Sequence, residues 1–110
     1  MERALIIKKN WLDKIFNDGK RWEMRSRNTK IRGKIGLIES GSGLIVGEAK
    51  LVDSFYINEL KRLICADLHQ VPDLDLLDKW CYAWALEDVK RYDKPIPYDH
   101  PQGAVIWVKL

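Results

Sequence analysis

The run Gly19-Lys20-Arg21-Trp22-Glu23-Met24-Arg25 organises the 110-residue chain. Read with a period of two, Trp22, Met24 and Ser26 share one face of a strand, and Arg21, Glu23, Arg25 and Arg27 share the other. Such a strand buries Trp22 and Met24, sets Glu23 beside Arg25 on the opposite face, and leaves Lys20 at its mouth. Basic residues continue through Lys30, Arg32 and Lys34. Seven basic residues and one acid, Glu23, lie between Lys20 and Lys34, although the whole chain carries only +3. The remainder is therefore net acidic. The basic segment reads either as a localised anion-binding surface or as a solvated hairpin with no partner.

Working outward, composition limits the class. Hydrophobic residues make up 46% and charged residues 32%, which places the chain among globular proteins with one core, a single domain over 1–110. No apolar run approaches the roughly 20 residues of a membrane span. The apolar stretch after Met1 breaks at Lys8, so no signal-peptide core is read there. A cytoplasmic protein with no membrane partner is the expectation. Cys65 and Cys81 have no CxxC spacing, and His69 and His100 stand far apart, so neither a metal nor a cofactor is expected. The two thiols read as buried and reduced. No P-loop or G-x-S-x-G pattern occurs, and Ser40 and Ser42 flank Gly41 with no identifiable base.

The pattern predicts a buried strand over Ala4 to Lys8 and then a helix capped by Asn10. That helix has Trp11, Leu12, Ile15 and Phe16 on one stripe and is stopped at Asn17-Asp18-Gly19. After the opening strand comes a polar turn over Asn28 to Gly33. Strands follow over Lys34 to Ser40 and Leu44 to Val52, joined by Gly41-Ser42-Gly43, and Gly47 marks a bulge or a close backbone approach. Asn58 to Leu68 reads as a helix burying Leu60, Leu63 and Ile64, with Lys61 and Arg62 outward. A short helical stretch from Pro72 to Trp80 leads to a strand over Cys81 to Leu86. Lys94-Pro95-Ile96-Pro97 is extended but cannot be a central strand, because proline lacks the donor. Ala104 to Lys109 closes the chain as a strand. Strands not separated by regular helices argue for an α+β fold, a small mixed β-barrel of five to six strands with two to three helices.

Lys20, Glu23 and Arg25 admit three chemical readings. They form a structural ion pair on a solvated face. They recognise an anion, with Lys20 and Arg25 on phosphate and Glu23 orienting Arg25 or accepting from a base amino group. Or they perform acid–base chemistry, with Lys20 as a desolvated base beside a carboxylate. Trp84 alternates with Tyr82 on one face, either as core or as a platform on which a base stacks.

The same run resembles the signature of ASCH domains, G-x-K-x-x-E-x-R. Lys20, Glu23 and Arg25 match it in type and spacing, Asp18 stands at the glycine position, and Gly19 comes one residue late. The strands Tyr82-Ala83-Trp84-Ala85-Leu86 and Ala104 to Leu110 are also similar to that family. The chain is thus identified as resembling a single-domain ASCH protein of bacterial or archaeal type. The resemblance implies a PUA-like barrel with a cleft beside the signature strand. That cleft would bind RNA or a modified nucleoside or nucleotide through Lys20, Glu23, Arg25, Arg27, Lys30, Arg32 and Trp84. It also implies the alternative of an enzyme in that cleft, with Lys20 and Glu23 as catalytic residues. Such an enzyme would be an amidohydrolase acting on acetylcytidine, whose members carry threonine where this chain has Glu23, or a ribonuclease. Glu48 and Glu59 are the candidates for a second carboxylate. A protein-interaction module with an acidic partner is the remaining reading.

Overall fold

The computed structural model describes residues 1–110. Six strands form one mixed sheet: β1 (Arg3–Ile7), β2 (Trp22–Arg25), β3 (Gly33–Glu39), β4 (Leu44–Tyr56), β5 (Tyr82–Pro97) and β6 (Trp107–Lys109), in the order β2-β5-β4-β3-β1-β6. Only β1 and β3 pair in parallel; the other neighbours are antiparallel. Helix α1 (Lys9–Asn17) follows β1. Helices α2 (Glu59–Ile64) and α3 (Ala66–His69) and a 3-10 helix (Leu74–Asp78) lie between β4 and β5. The fold is the expected α+β one: a six-stranded, half-closed barrel. No helix is long and apolar enough to cross a membrane.

The curl comes from the two long strands. β4 and β5 shift register at three places, each adding local twist, and one shift falls beside Gly47. A Cβ on Gly47 would lie 2.4 Å from the Lys90 carbonyl oxygen and 2.7 Å from Phe16 Cζ. The missing side chain therefore seats α1 directly on the bulged β4–β5 pair. Leu12 and Ile15 enter the main core with Leu5, Ile7, Leu37, Leu51 and Leu86. A second core, Met24, Ile57, Val71, Leu77 and Ala83, lies under the segment between β4 and β5.

Several local expectations change. α1 begins one residue before Asn10, with Lys8 at its N-cap and no side-chain cap. β4 runs through Asp53-Ser54 to Tyr56, because a bulge between Leu51 and Asp53 absorbs the polar residues. β5 runs on from Leu86 to Pro97; beyond Leu86 it pairs only with β4, so its prolines sit on an edge where no donor is needed. β6 covers only Trp107–Lys109. The largest reversal is α2. Leu60, Leu63 and Ile64 are 62–65% exposed, while Arg62 turns inward, its NH1 2.6 Å from Asp78 Oδ1. A six-residue helix has too little length for its apolar stripe to set its orientation against that anchor. Cys65 and Cys81 are free and only partly buried, not fully buried.

Gly47→Ala should lower stability by about 2–3 kcal/mol through overpacking against a backbone carbonyl and a ring. Chemical denaturation should show a lower midpoint with an unchanged slope.

Candidate functional site

The sequence around Lys20 places it by a sharp stop. Gly19 takes φ +76°, and the N–H of Asp18 and of Lys20 both turn back to the Lys14 carbonyl, ending α1. Nothing crowds Gly19, so the glycine is there for its backbone conformation alone. The displaced signature glycine thus acts as the helix terminator, and the chain leaves it with the Lys20 side chain pointing inward.

Lys20 is completely buried. Its ammonium donates to the Trp22 carbonyl at 2.6 Å and to the His69 carbonyl. It lies 5.1 Å from the Trp11 ring centroid and 3.9 Å from Glu23 Oε1, the last too long for a hydrogen bond. Desolvation pushes its pKa down to about 8 from 10.5, and the Glu23 charge only partly opposes this.

Glu23 and Arg25 share a face of β2, as the alternation requires. Glu23 is 4% exposed, and its Oε2 accepts from Arg25 Nε at 3.2 Å and from Arg25 NH2 at 2.8 Å. The same NH2 donates to the Ile6 carbonyl at 2.9 Å, joining edge strand β2 to β1 across the open seam of the barrel. The guanidinium also lies 5.5 Å from the Trp84 ring. Arg25 consumes Oε2, leaving Glu23 Oε1 as the acceptor with no donor in hydrogen-bond range.

These three side chains line one cavity of about 200 Å³ in the seam, with Trp11, Met24, Val71 and Trp80 as further walls and Lys8 and Ser40 also contributing. Trp11 and Trp80 meet edge to face, 6.3 Å between centroids. Three cations and one carboxylate line the cavity, so it carries a net positive charge.

Not every expected residue comes here. Trp84 pairs across the strands with Glu23, but it is buried, stacked on Trp107 at 5.7 Å, with its Nε1 donating to the Arg27 carbonyl; it does not line the cavity. Arg27, Lys30 and Arg32 are exposed and lie outside it, and Arg32 stands 3.7 Å from Asp53. Glu48 is held by Lys34 and Tyr92 elsewhere, and Glu59 is exposed on α2. His100 is tied to Tyr98 and the Ala104 carbonyl, also away from the cavity. No three His, Cys, Asp or Glu side chains converge as metal ligands would. Sequence reading missed Trp11, Val71 and Trp80 as cavity walls, because nothing in their spacing separates a wall from a core residue.

With this geometry in place, the fold can be compared with known ones. No protein-family model and no curated protein matches the sequence. Solved structures do. The crystal structure of ASCH from Zymomonas mobilis aligns with a TM-score of 0.71 at 16% identity, covering 99% of this chain and 87% of that one. A tyrosine-to-phenylalanine mutant of the same protein gives 0.71 at 16% over 99% and 89%, and a serine-to-alanine mutant gives 0.72 at 15% over 99% and 87%. The chain therefore has an ASCH-domain, PUA-like fold. At this identity the likeness is one of fold.

The Lys20 shift fixes a pH dependence. The folded chain binds fewer protons at this amine than the unfolded one between pH 8 and 10.5, so stability rises with pH across that window, and the gain is lost as pH falls back from 10.5 to 8. Compared with Lys20→Met, which cannot titrate, the wild type should gain on the order of 2 kcal/mol between pH 7 and pH 10. Parallel denaturation series of the two proteins measure this difference directly.

Proposed function

We propose that this chain binds RNA or a modified nucleoside by drawing one base into the cavity beside β2. The observation that carries the reading is the buried Glu23, whose Oε1 faces a small aromatic-walled space and has no donor of its own. A carboxylate oxygen held there favours a ligand N–H, such as the amino or imino group of a base edge. Lys20 and Arg25 supply donors for a neighbouring carbonyl. Trp11 and Trp80 suit a flat ring. At about 200 Å³ the space falls below the roughly 300–1,000 Å³ of drug-sized sites, which favours one planar group over a whole nucleotide. The sugar and phosphate would then remain toward Lys8 and Ser40. Arg27, Lys30 and Arg32 fit as outer contacts to an RNA backbone, and Trp84 as the support that holds Arg25 and the Arg27 carbonyl.

A second reading has its own observation. An amine with a pKa near 8 beside a carboxylate is suited to proton transfer, so the same cavity supports acid–base chemistry on the bound base or on RNA. Glu23→Gln separates the two. If the cavity only binds, the change should cost on the order of 1–2 kcal/mol of affinity, through lost charge assistance. If Glu23 sets the protonation state of Lys20 during a reaction, turnover should fall by roughly 100-fold or more while binding survives. Titration with nucleosides and short RNA, run beside assays of acetylcytidine deacetylation and RNA cleavage, reads both. No saturable binding to any of these ligands would overturn the reading and favour an acidic protein partner for the basic face.

The outer contacts have a separate signature. Neutralising Arg27, Lys30 and Arg32 together should flatten the dependence of RNA affinity on salt by about two to three in logarithmic slope, while leaving single-nucleoside binding unchanged. Fluorescence anisotropy across a salt series measures the slope.

A further inference from the structure

His69 is a buried polar side chain that the binding reading leaves without a task. It is fully buried at the end of α3, and both ring nitrogens are engaged. Nδ1 lies 2.9 Å from the backbone nitrogen of Val71, which can only donate, so Nδ1 accepts. Nε2 lies 2.7 Å from the Arg62 carbonyl oxygen, which can only accept, so Nε2 carries the hydrogen. The ring is therefore neutral and held in one tautomer. The bond to Val71 closes a turn over Gln70, whose φ of 53° lies in the left-handed region. The Gln70 side chain adds a 2.6 Å bond to the Asp18 carbonyl, beside the terminator of α1. Two parts of the site leave this turn: the His69 carbonyl, which receives Lys20 Nζ, and the Val71 side chain, which walls the cavity.

We propose that His69 is the positioning residue of this site: its Nδ1 acceptor holds the 69–71 turn that aims Lys20 and seals it from water. The effect on ligand affinity rests on the binding reading above, whereas the effect on Lys20 does not. The charged groups that bear on the Lys20 ammonium are Glu23 and Arg25 on β2 and Lys14 on α1. Lys14 and Arg25 carry no acceptor that could replace the one the Val71 N–H uses.

Three substitutions divide the imidazole's two roles. The side-chain oxygen of His69→Asn can stand near Nδ1 and restore the acceptor. His69→Gln can restore the donor toward Arg62 but not that acceptor, and His69→Leu restores neither. The measurement is a titration of the Lys20 ε-carbon by NMR in each folded protein, with no ligand present. The wild type should titrate near 8, where burial holds it. His69→Asn should stay close to that value, and His69→Gln and His69→Leu should move up by about one unit or more as water reaches the amine. The same Lys20 midpoint in all folded variants would overturn the proposal. Should Gln and Leu fail to fold, the wild type still decides it: long-range nitrogen–proton spectra report the tautomer, and a hydrogen on Nδ1 is incompatible with the proposed role. Nucleoside titration then completes a cycle. His69→Gln should weaken binding about tenfold in the wild type and less than twofold in the Lys20→Met background. Equal losses in both backgrounds would overturn positioning through Lys20. A shifted Lys20 midpoint with no nucleoside binding at all would leave the positioning role standing and sink the binding reading instead.

Discussion

A fully buried ammonium ties the two halves of the site together. Moving a lysine charge out of water costs several kcal/mol, and no carboxylate approaches Lys20 closely enough to hydrogen-bond with it. What offsets the cost is a pair of backbone carbonyls, Trp22 from β2 and His69 from the segment between β4 and β5, with the Trp11 ring beside them. Those two carbonyls belong to segments far apart in sequence, which also meet through the Arg21 N–H on the Leu68 carbonyl and through Met24 and Val71 in the second core. The ammonium fastens the start of the signature strand to the segment that carries Val71 and Trp80. Its depressed pKa reflects that desolvation, which the Glu23 charge only partly opposes.

Arg25 performs the matching task at the far end of the strand. A six-stranded sheet that curls without closing leaves β2 unpaired on one side. Backbone pairing there would fill the seam and leave no cavity. Instead one guanidinium spans the gap, binding Glu23, the Ile6 carbonyl and the face of Trp84. Its planar fork can satisfy a carboxylate and a carbonyl at once, which a lysine at this position could not do with the same geometry. The cavity is the space left between these two cationic ties, and Glu23 lies between them.

Much of this was legible in the sequence, for physical reasons that differ by residue. Period-two alternation set Glu23 and Arg25 on one face because side-chain direction in a strand is fixed by geometry. Gly47 announced a close approach because no other residue tolerates one there. Ala83 and Ala85 opposite Met24 and Trp22 show the same size matching, small against large. Side chains whose direction depends on a competing anchor were not legible. Leu60, Leu63 and Ile64 have a buried helix's spacing, yet they face outward while Arg62 reaches Asp78. The partners of His69, Arg62 O and Val71 N, are set by a turn that spacing does not reveal. Trp84 looked available for stacking because the sequence does not show that Trp107 would cover it.

The spacing of the signature follows from these constraints. Glu and Arg must be two apart to share a strand face, and that adjacency commits one carboxylate oxygen to the guanidinium. The lysine comes just before the strand begins, where its amine turns back to the Trp22 carbonyl. Gly19 then has to terminate α1 immediately ahead of it, and a one-residue displacement of the glycine is tolerated because its left-handed turn, not its exact place in the motif, is what directs Lys20 inward. The consequence is a carboxylate with one oxygen committed and one free, between an arginine that cannot lose its charge and a lysine that can. Ligand recognition and proton transfer both need that free oxygen, so the reading turns on whether the lysine beside it keeps its proton.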